Sequence, residues 1–148
     1  LLMRTTGLIS AEEQIRLPSE AEWEYFARAG SRSLYSFGEE TGKLGDYAWF
    51  HGNAAGNDPP VGVKKPNPWG LYDIHGYLWE WCTDEAHPDY RKAPADSRPW
   101  LGGGIPGQGV LRGGSWKDNA PSLSSSFRRL APVKLKDDAV GLRCVLSR

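Results

Sequence analysis

Cysteine is nearly absent from this chain. Only Cys82 and Cys144 occur, and the interval 117–143 contains none. No C-x-x-C pair exists, which removes the usual zinc-site and dithiol-redox spacings. Neither charge sign dominates, with Lys plus Arg 18 and Asp plus Glu 18. A general affinity for nucleic acid or an anionic membrane is therefore not expected. No apolar run approaches the ~20 residues needed to span a bilayer. Leu1-Leu2-Met3 is not a usual chain start, no charged n-region with an apolar h-region follows it, and the sequence specifies no compartment. His51, His75 and His87 share no H-x-x-x-H spacing. No G-x-S-x-G surrounds Ser115, Ser122, Ser124, Ser125 or Ser126, which removes the nucleophile-elbow reading.

What the chain does have is Gly 18, Pro 11 and seven Trp in 148 residues. That describes one loop-rich domain with aromatic anchors, not a helical bundle. One helix is clear, over residues 19–29. Ser19 and Glu22 form an S-x-x-E capping box, and Gly30 is placed to end the helix in the left-handed conformation. Trp23, Phe26 and Ala27 share its inner face, and Glu24 and Arg28 form an outer i,i+4 pair. Residues 1–15 lack a period and read as a helix tail plus a loop. Residues 30–68 are turns, punctuated by Gly38, Gly42, Gly45, Gly52, Gly56 and four prolines. Strands are predicted over 78–83, 110–116 and 142–146, with long loops at 85–108 and 117–138. In the first strand, Trp79 and Trp81 take one face while Leu78, Glu80 and Cys82 take the other. The fold class is α+β.

The stretch Gly70-Leu-Tyr-Asp-Ile-His-Gly-Tyr-Leu-Trp-Glu-Trp-Cys-Thr-Asp84 concentrates the chemistry. Glu80 lies between two indoles, and a buried carboxylate requires a cation or several donors. Asp73 and Gly76 stand close enough to send oxygens to the same partner. One solution is a bound metal. The other is an ion pair from Glu80 to an arginine such as Arg112 or Arg143, with Asp73 capping a turn. Cys82 and Cys144 read as buried thiols or a structural disulfide, against a redox or copper-binding dithiol. Arg112, Arg128, Arg129 and Arg143 gather near the last strands. They would either grip an anionic ligand or pair internally with Glu80, Asp118 or Asp137. Asp84, Glu85, His87 and Asp89 read as a solvated turn in preference to a metal cluster.

Five motifs occur in order: Arg16-Leu-Pro-Ser-Glu-Ala-Glu-Trp-Glu-Tyr25, Pro66-Asn-Pro-Trp-Gly-Leu-Tyr-Asp73, Leu78-Trp-Glu-Trp-Cys82, Val110-Leu-Arg-Gly-Gly-Ser-Trp116 and Gly141-Leu-Arg-Cys144. Together they resemble the formylglycine-generating enzyme, or sulfatase-modifying factor, family. The resemblance implies a variant of the C-type lectin fold, with the single domain 1–148 matching the C-terminal half to two-thirds of a family domain. It implies a calcium site built from the side chains of Asp73 and Glu80 and the carbonyls of Gly76 and Leu78, a hard oxygen set suited to that ion. The family oxidises a substrate cysteine with two cysteines of its own, copper and oxygen. Counted without gaps from Trp116, those two positions are Asp118 and Leu123 here, and neither supplies the soft sulfur that copper requires. Copper is not expected, and Cys144 matches a structural position. The implied function is a calcium-stabilised binding or accessory module. Its ligand surface would comprise the 85–108 and 117–138 loops, with Trp116, Asp118 and Arg128 as contacts. The implied partner is a peptide or protein, or another domain of the parent protein. The alternatives are a formylglycine generator with thiols supplied elsewhere, and the accessory half of a non-haem iron sulfoxide synthase.

Overall fold

Helix α1 (Glu20–Arg28) begins where the sequence says it should. The computed structural model, which describes Met3, residues 7–54 and residues 59–148, closes both halves of the Ser19/Glu22 capping box. Arg16 reinforces it by gripping the Glu22 carboxylate with two N–H groups at 2.7 Å. The carboxyl of Glu22 is held below its ordinary range by that guanidinium. At the other end the left-handed residue is Ala29 (φ 46°), followed by Gly30 (φ 87°), so the reversal comes one residue earlier than predicted. The turn residue Gly56 lies outside the described residues.

Four strands, β2 (Trp79–Glu85), β3 (Gln108–Arg112), β4 (Arg128–Pro132) and β5 (Val140–Gly141), form a sheet of order β4-β3-β2-β5. β3 pairs antiparallel with β2 and β4, whereas β5 runs parallel to β2. A separate two-stranded sheet joins β1 (Gln14–Arg16) to β6 (Val145–Ser147). A short helix α2 (Leu44–Tyr47) interrupts the expected turns. The strand predicted over 110–116 stops at Arg112, because Gly113 and Gly114 both take positive φ and turn the chain. Of the predicted 142–146 strand only residues 145–146 are extended, within β6, while β5 lies just ahead of the predicted span. Strands β1 and β4 replace stretches predicted as loop.

Side-chain alternation along β2 places Cys82 against Trp23, Ala27, Ile74 and Val110, and Trp79 with Leu111 and Ala131 on the opposite face. A third cluster joins Tyr35, Leu44, Ala48 and Leu123 under the loops. Trp23 is fully buried, and its indole N–H is satisfied by Glu80 Oε2 at 2.8 Å. The fold is thus the loop-rich α+β arrangement, with a twisted sheet covered on one face by α1.

Candidate functional site

The loop from Asp73 to Tyr77 leads into β2 in an uncommon conformation. Asp73 (φ 55°), Gly76 (φ 88°) and Tyr77 (φ 68°) are all left-handed. Non-glycine residues in that region carry strain that the surroundings must hold in place. At Gly76 there is no choice of residue, because a Cβ would lie 2.3 Å from the Trp49 carbonyl oxygen. The loop is held by Gly76 N–H donating to Gly113 O at 2.7 Å and Tyr77 N–H donating to Trp49 O at 2.8 Å.

Asp73, Leu78 and Glu80 line one cavity of about 360 Å³ with Tyr72, Tyr77 and Arg143. Gly76 is not in that lining. Asp73 Oδ2 accepts from Gly62 N–H at 2.7 Å, while Oδ1 is buried and has no partner. An orphaned carboxylate oxygen aimed away from solvent is a costly feature that a cation would relieve. Glu80 is differently placed. Arg143 grips both its oxygens, with Nε at 3.0 and 3.1 Å and Nη2 at 2.8 Å from Oε1. Trp23 adds its N–H to Oε2. The arginine partner of Glu80 is therefore Arg143. Among the described residues no three His, Cys, Asp or Glu side chains converge on a metal position. A cation here would rest on two carboxylates plus carbonyl oxygens, and it would share Glu80 with Arg143.

On the opposite face of β2, the Asp118 carboxylate is the hub of a small cluster. Its Oδ2 accepts from Trp79 Nε1 at 2.8 Å and from Ser115 N–H at 3.0 Å, and it also meets the Ser115 hydroxyl. Its carbonyl accepts from His51 N–H at 3.0 Å. Leu123 is fully buried in the cluster with Tyr35, Leu44 and Ala48. Trp116 is half-buried beside this hub, with Lys117 Nζ 5.0 Å from its ring centre.

Arg128 does not join Trp116 and Asp118. Alternation along β4 sends residues 128 and 129 to opposite faces, and Arg128 turns toward α1. There it binds Glu20 with Nε at 2.9 Å and Nη2 at 2.8 Å, and donates to His87 O at 2.7 Å. Arg129 takes the Trp79 face, 5.7 Å from that ring. Arg112 is also committed internally, to Glu20, Glu24 and the carbonyls of Ser125 and Ser126. Glu20 is the residue that sequence reading passed over. It accepts from Arg112, Arg128 and the Tyr90 hydroxyl while only 5% exposed. Its position in the first turn of α1 looks like ordinary helix-start chemistry, and its partners lie far along the chain.

The two cysteines are free, with Cys82 buried and Cys144 exposed, so they form neither a disulfide nor a buried pair. Burial pushes the Cys82 thiol well above its usual range. Asp84 and His87 are buried, not solvated as predicted. Asp84 caps α1 through Glu20 N–H and holds Trp100 N–H, while His87 stacks on the Trp100 ring at 3.6 Å.

His75 ties the loop to the third cluster. Its Nδ1–H donates to Leu123 O at 2.9 Å, and Nε2 accepts from Ser36 N–H at 3.1 Å, which fixes a neutral imidazole. Burial lowers its pKa to about 4 from 6.5. The unfolded chain binds a proton there in the window between those values and the folded protein does not. Stability is therefore complete above pH 6.5 and declines as pH falls toward 4, by about 3 kcal/mol in total. Urea unfolding of the wild type and of His75→Gln across that window checks this. The wild type should show the slope, and the variant should lose that share of it.

A family model described as the sulfatase-modifying factor enzyme 1-like domain matches residues 7–148. The serine/threonine-protein kinase pkn1 of Chlamydia pneumoniae is 37% identical over 133 residues, which is 87% of this chain and 20% of the kinase. The inactive C-alpha-formylglycine-generating enzyme 2 of Bos taurus is 33% identical over 150 residues, 87% of this chain and 43% of that protein. Among solved structures, PvdO from Pseudomonas aeruginosa superposes with a TM-score of 0.83 at 33% identity. That match covers 97% of this chain and 54% of the PvdO chain. The chain thus spans about half of that structure, less than half of the Bos taurus relative and a fifth of the kinase.

Proposed function

Because this chain belongs to the sulfatase-modifying factor enzyme 1-like family, we propose that it is a non-catalytic member, a calcium-braced recognition or accessory module. The observation that carries the reading is the fate of the two positions where the resemblance places the family's cysteines. One is Asp118, whose carboxylate is spent on Trp79 and Ser115. The other is Leu123, buried in an apolar cluster. A committed hard oxygen and an inert side chain cannot act as a thiolate pair. With the interval 117–143 free of cysteine, no local shift of the alignment supplies one. The free Cys82 does not substitute, since its thiol is buried on the α1 side of the sheet and held protonated.

The calcium part rests on the orphaned Asp73 Oδ1, on the strained loop that presents it, and on Glu80 in the same cavity. Calcium held there by Asp73, Glu80 and the carbonyls of Gly76 and Leu78 would neutralise the carboxylates and fix the 73–80 segment. Recognition falls to the Trp79 face, where Trp116 and Phe127 leave aromatic surface beside the long loops. A peptide, or another domain of the parent protein, is the partner that such a face suits.

Two measurements test the reading. A Cys-x-Pro-x-Arg peptide incubated aerobically with the protein and copper should keep its cysteine by mass spectrometry, and conversion to the aldehyde would defeat the non-catalytic assignment. Calcium at about a hundred times its Kd should stabilise the fold by ~2.7 kcal/mol, raising Tm by about 5–10 °C over the EGTA-treated protein. Coincident melts would remove calcium from the proposal and leave Arg143 as the sole cation of Glu80.

A further inference from the structure

Strand β4 closes one end of the four-stranded sheet, and among the described residues no strand pairs with its outer side. The phase of its ladder is set by Val133 N–H donating to Gly107 O at 2.9 Å, with Leu111 opposite Arg129 and Gly109 opposite Ala131. In an antiparallel ladder the bonded residues alternate. Residues 129, 131 and 133 therefore bond to β3, and the N–H and C=O of Leu130 point to the open edge. The Leu130 side chain is 37% exposed and Val133 is 60% exposed.

The same segment carries cations without carboxylate partners. Arg129, Lys134 and Lys136 make no ion pair among the described residues, whereas Arg112, Arg128 and Arg143 are each paired to a carboxylate. The nearest acids in sequence, Asp137 and Asp138, are held by Lys117. An unsatisfied backbone edge bordered by unpaired cations is a template for an added strand of opposite charge.

We propose that the outer edge of β4 docks an extended acidic peptide segment, which adds to the sheet beside residues 128–131. The proposal rests on the recognition reading above and gives its partner a chemistry. Alternation in the docked strand sets carboxylates beside Arg129 on the Trp79 face and apolar side chains beside Leu130 on the α1 face. Pro132 offers no N–H and limits the pairing to that short span.

The test is fluorescence anisotropy with a short acetylated and amidated peptide of alternating Glu and Val. Saturable binding is expected, weakening as salt rises, while the Lys-Val counterpart does not bind. Arg129→Glu should weaken binding about tenfold or more. Methylating alternate backbone nitrogens of the peptide should abolish binding with the protein untouched, since it removes the ladder donors. Equal binding of the acidic and basic peptides, or full binding by the methylated one, overturns the proposal. If Trp116→Ala abolishes binding and Arg129→Glu does not, the β4 edge is the wrong site although recognition by the Trp79 face survives. Failure of every peptide overturns the edge proposal without touching the tests of catalysis and calcium.

Discussion

Replacing Arg112 with methionine is expected to cost about 3–5 kcal/mol of folding stability, the usual result of removing one partner from a buried charge network. Arg112 is fully buried, with its guanidinium 5.3 Å from the Trp23 ring. Its Nη1 meets Glu20 Oε1 at 3.0 Å, and its Nη2 meets Glu24 and the Ser125 carbonyl. Methionine fills similar volume but satisfies none of them. Glu20 would keep Arg128 and Glu24 would keep Arg28, so the largest losses fall on the buried carbonyls of Ser125 and Ser126. Urea denaturation measures the effect. A loss below about 1 kcal/mol would mean that the network adds little beyond packing.

Gly76→Ala should be comparably severe. The new methyl would sit 2.3 Å from the Trp49 carbonyl oxygen and 2.8 Å from Leu123 Cδ2. One of these is backbone and cannot swing aside, and the residue also occupies the left-handed region at φ 88°. Strain and overpacking together give about 3 kcal/mol or more, a fall in Tm of about 6–12 °C for a chain of this size. Gly70, also at positive φ but with open space around it, provides the comparison. Alanine there carries the conformational cost alone, so Gly70→Ala should melt clearly above Gly76→Ala. Equal melting would show that the Trp49 contact relaxes freely.

What was legible in the sequence was local. The capping box of α1 joins residues three apart, and both of its hydrogen bonds form. The alternation of Trp79 and Trp81 against Glu80 and Cys82 is a two-residue period, and the strand follows it. The five ordered motifs fixed the family and the fold. What was hidden depends on distant partners. Nothing near Glu20 announces Arg112 and Arg128, which arrive from β3 and β4. Strand β4 was obscured because Arg128 and Arg129 look like loop chemistry until one is seen bonded to Glu20. Arg128 and Arg129 were also read as one cluster, although successive strand residues face opposite ways. The disulfide reading failed for a similar reason. Cys82 faces the core under α1, while Cys144 lies on the exposed link between β5 and β6.

The pairing of β1 with β6 has a geometric consequence. Gln14 opposes Ser147 at the outer end of that ribbon, so the backbone comes in and goes out through one doorway. Any module tethered ahead of Gln14 and any tethered behind Ser147 would hang from neighbouring points, leaving the far end of the molecule clear of both leashes.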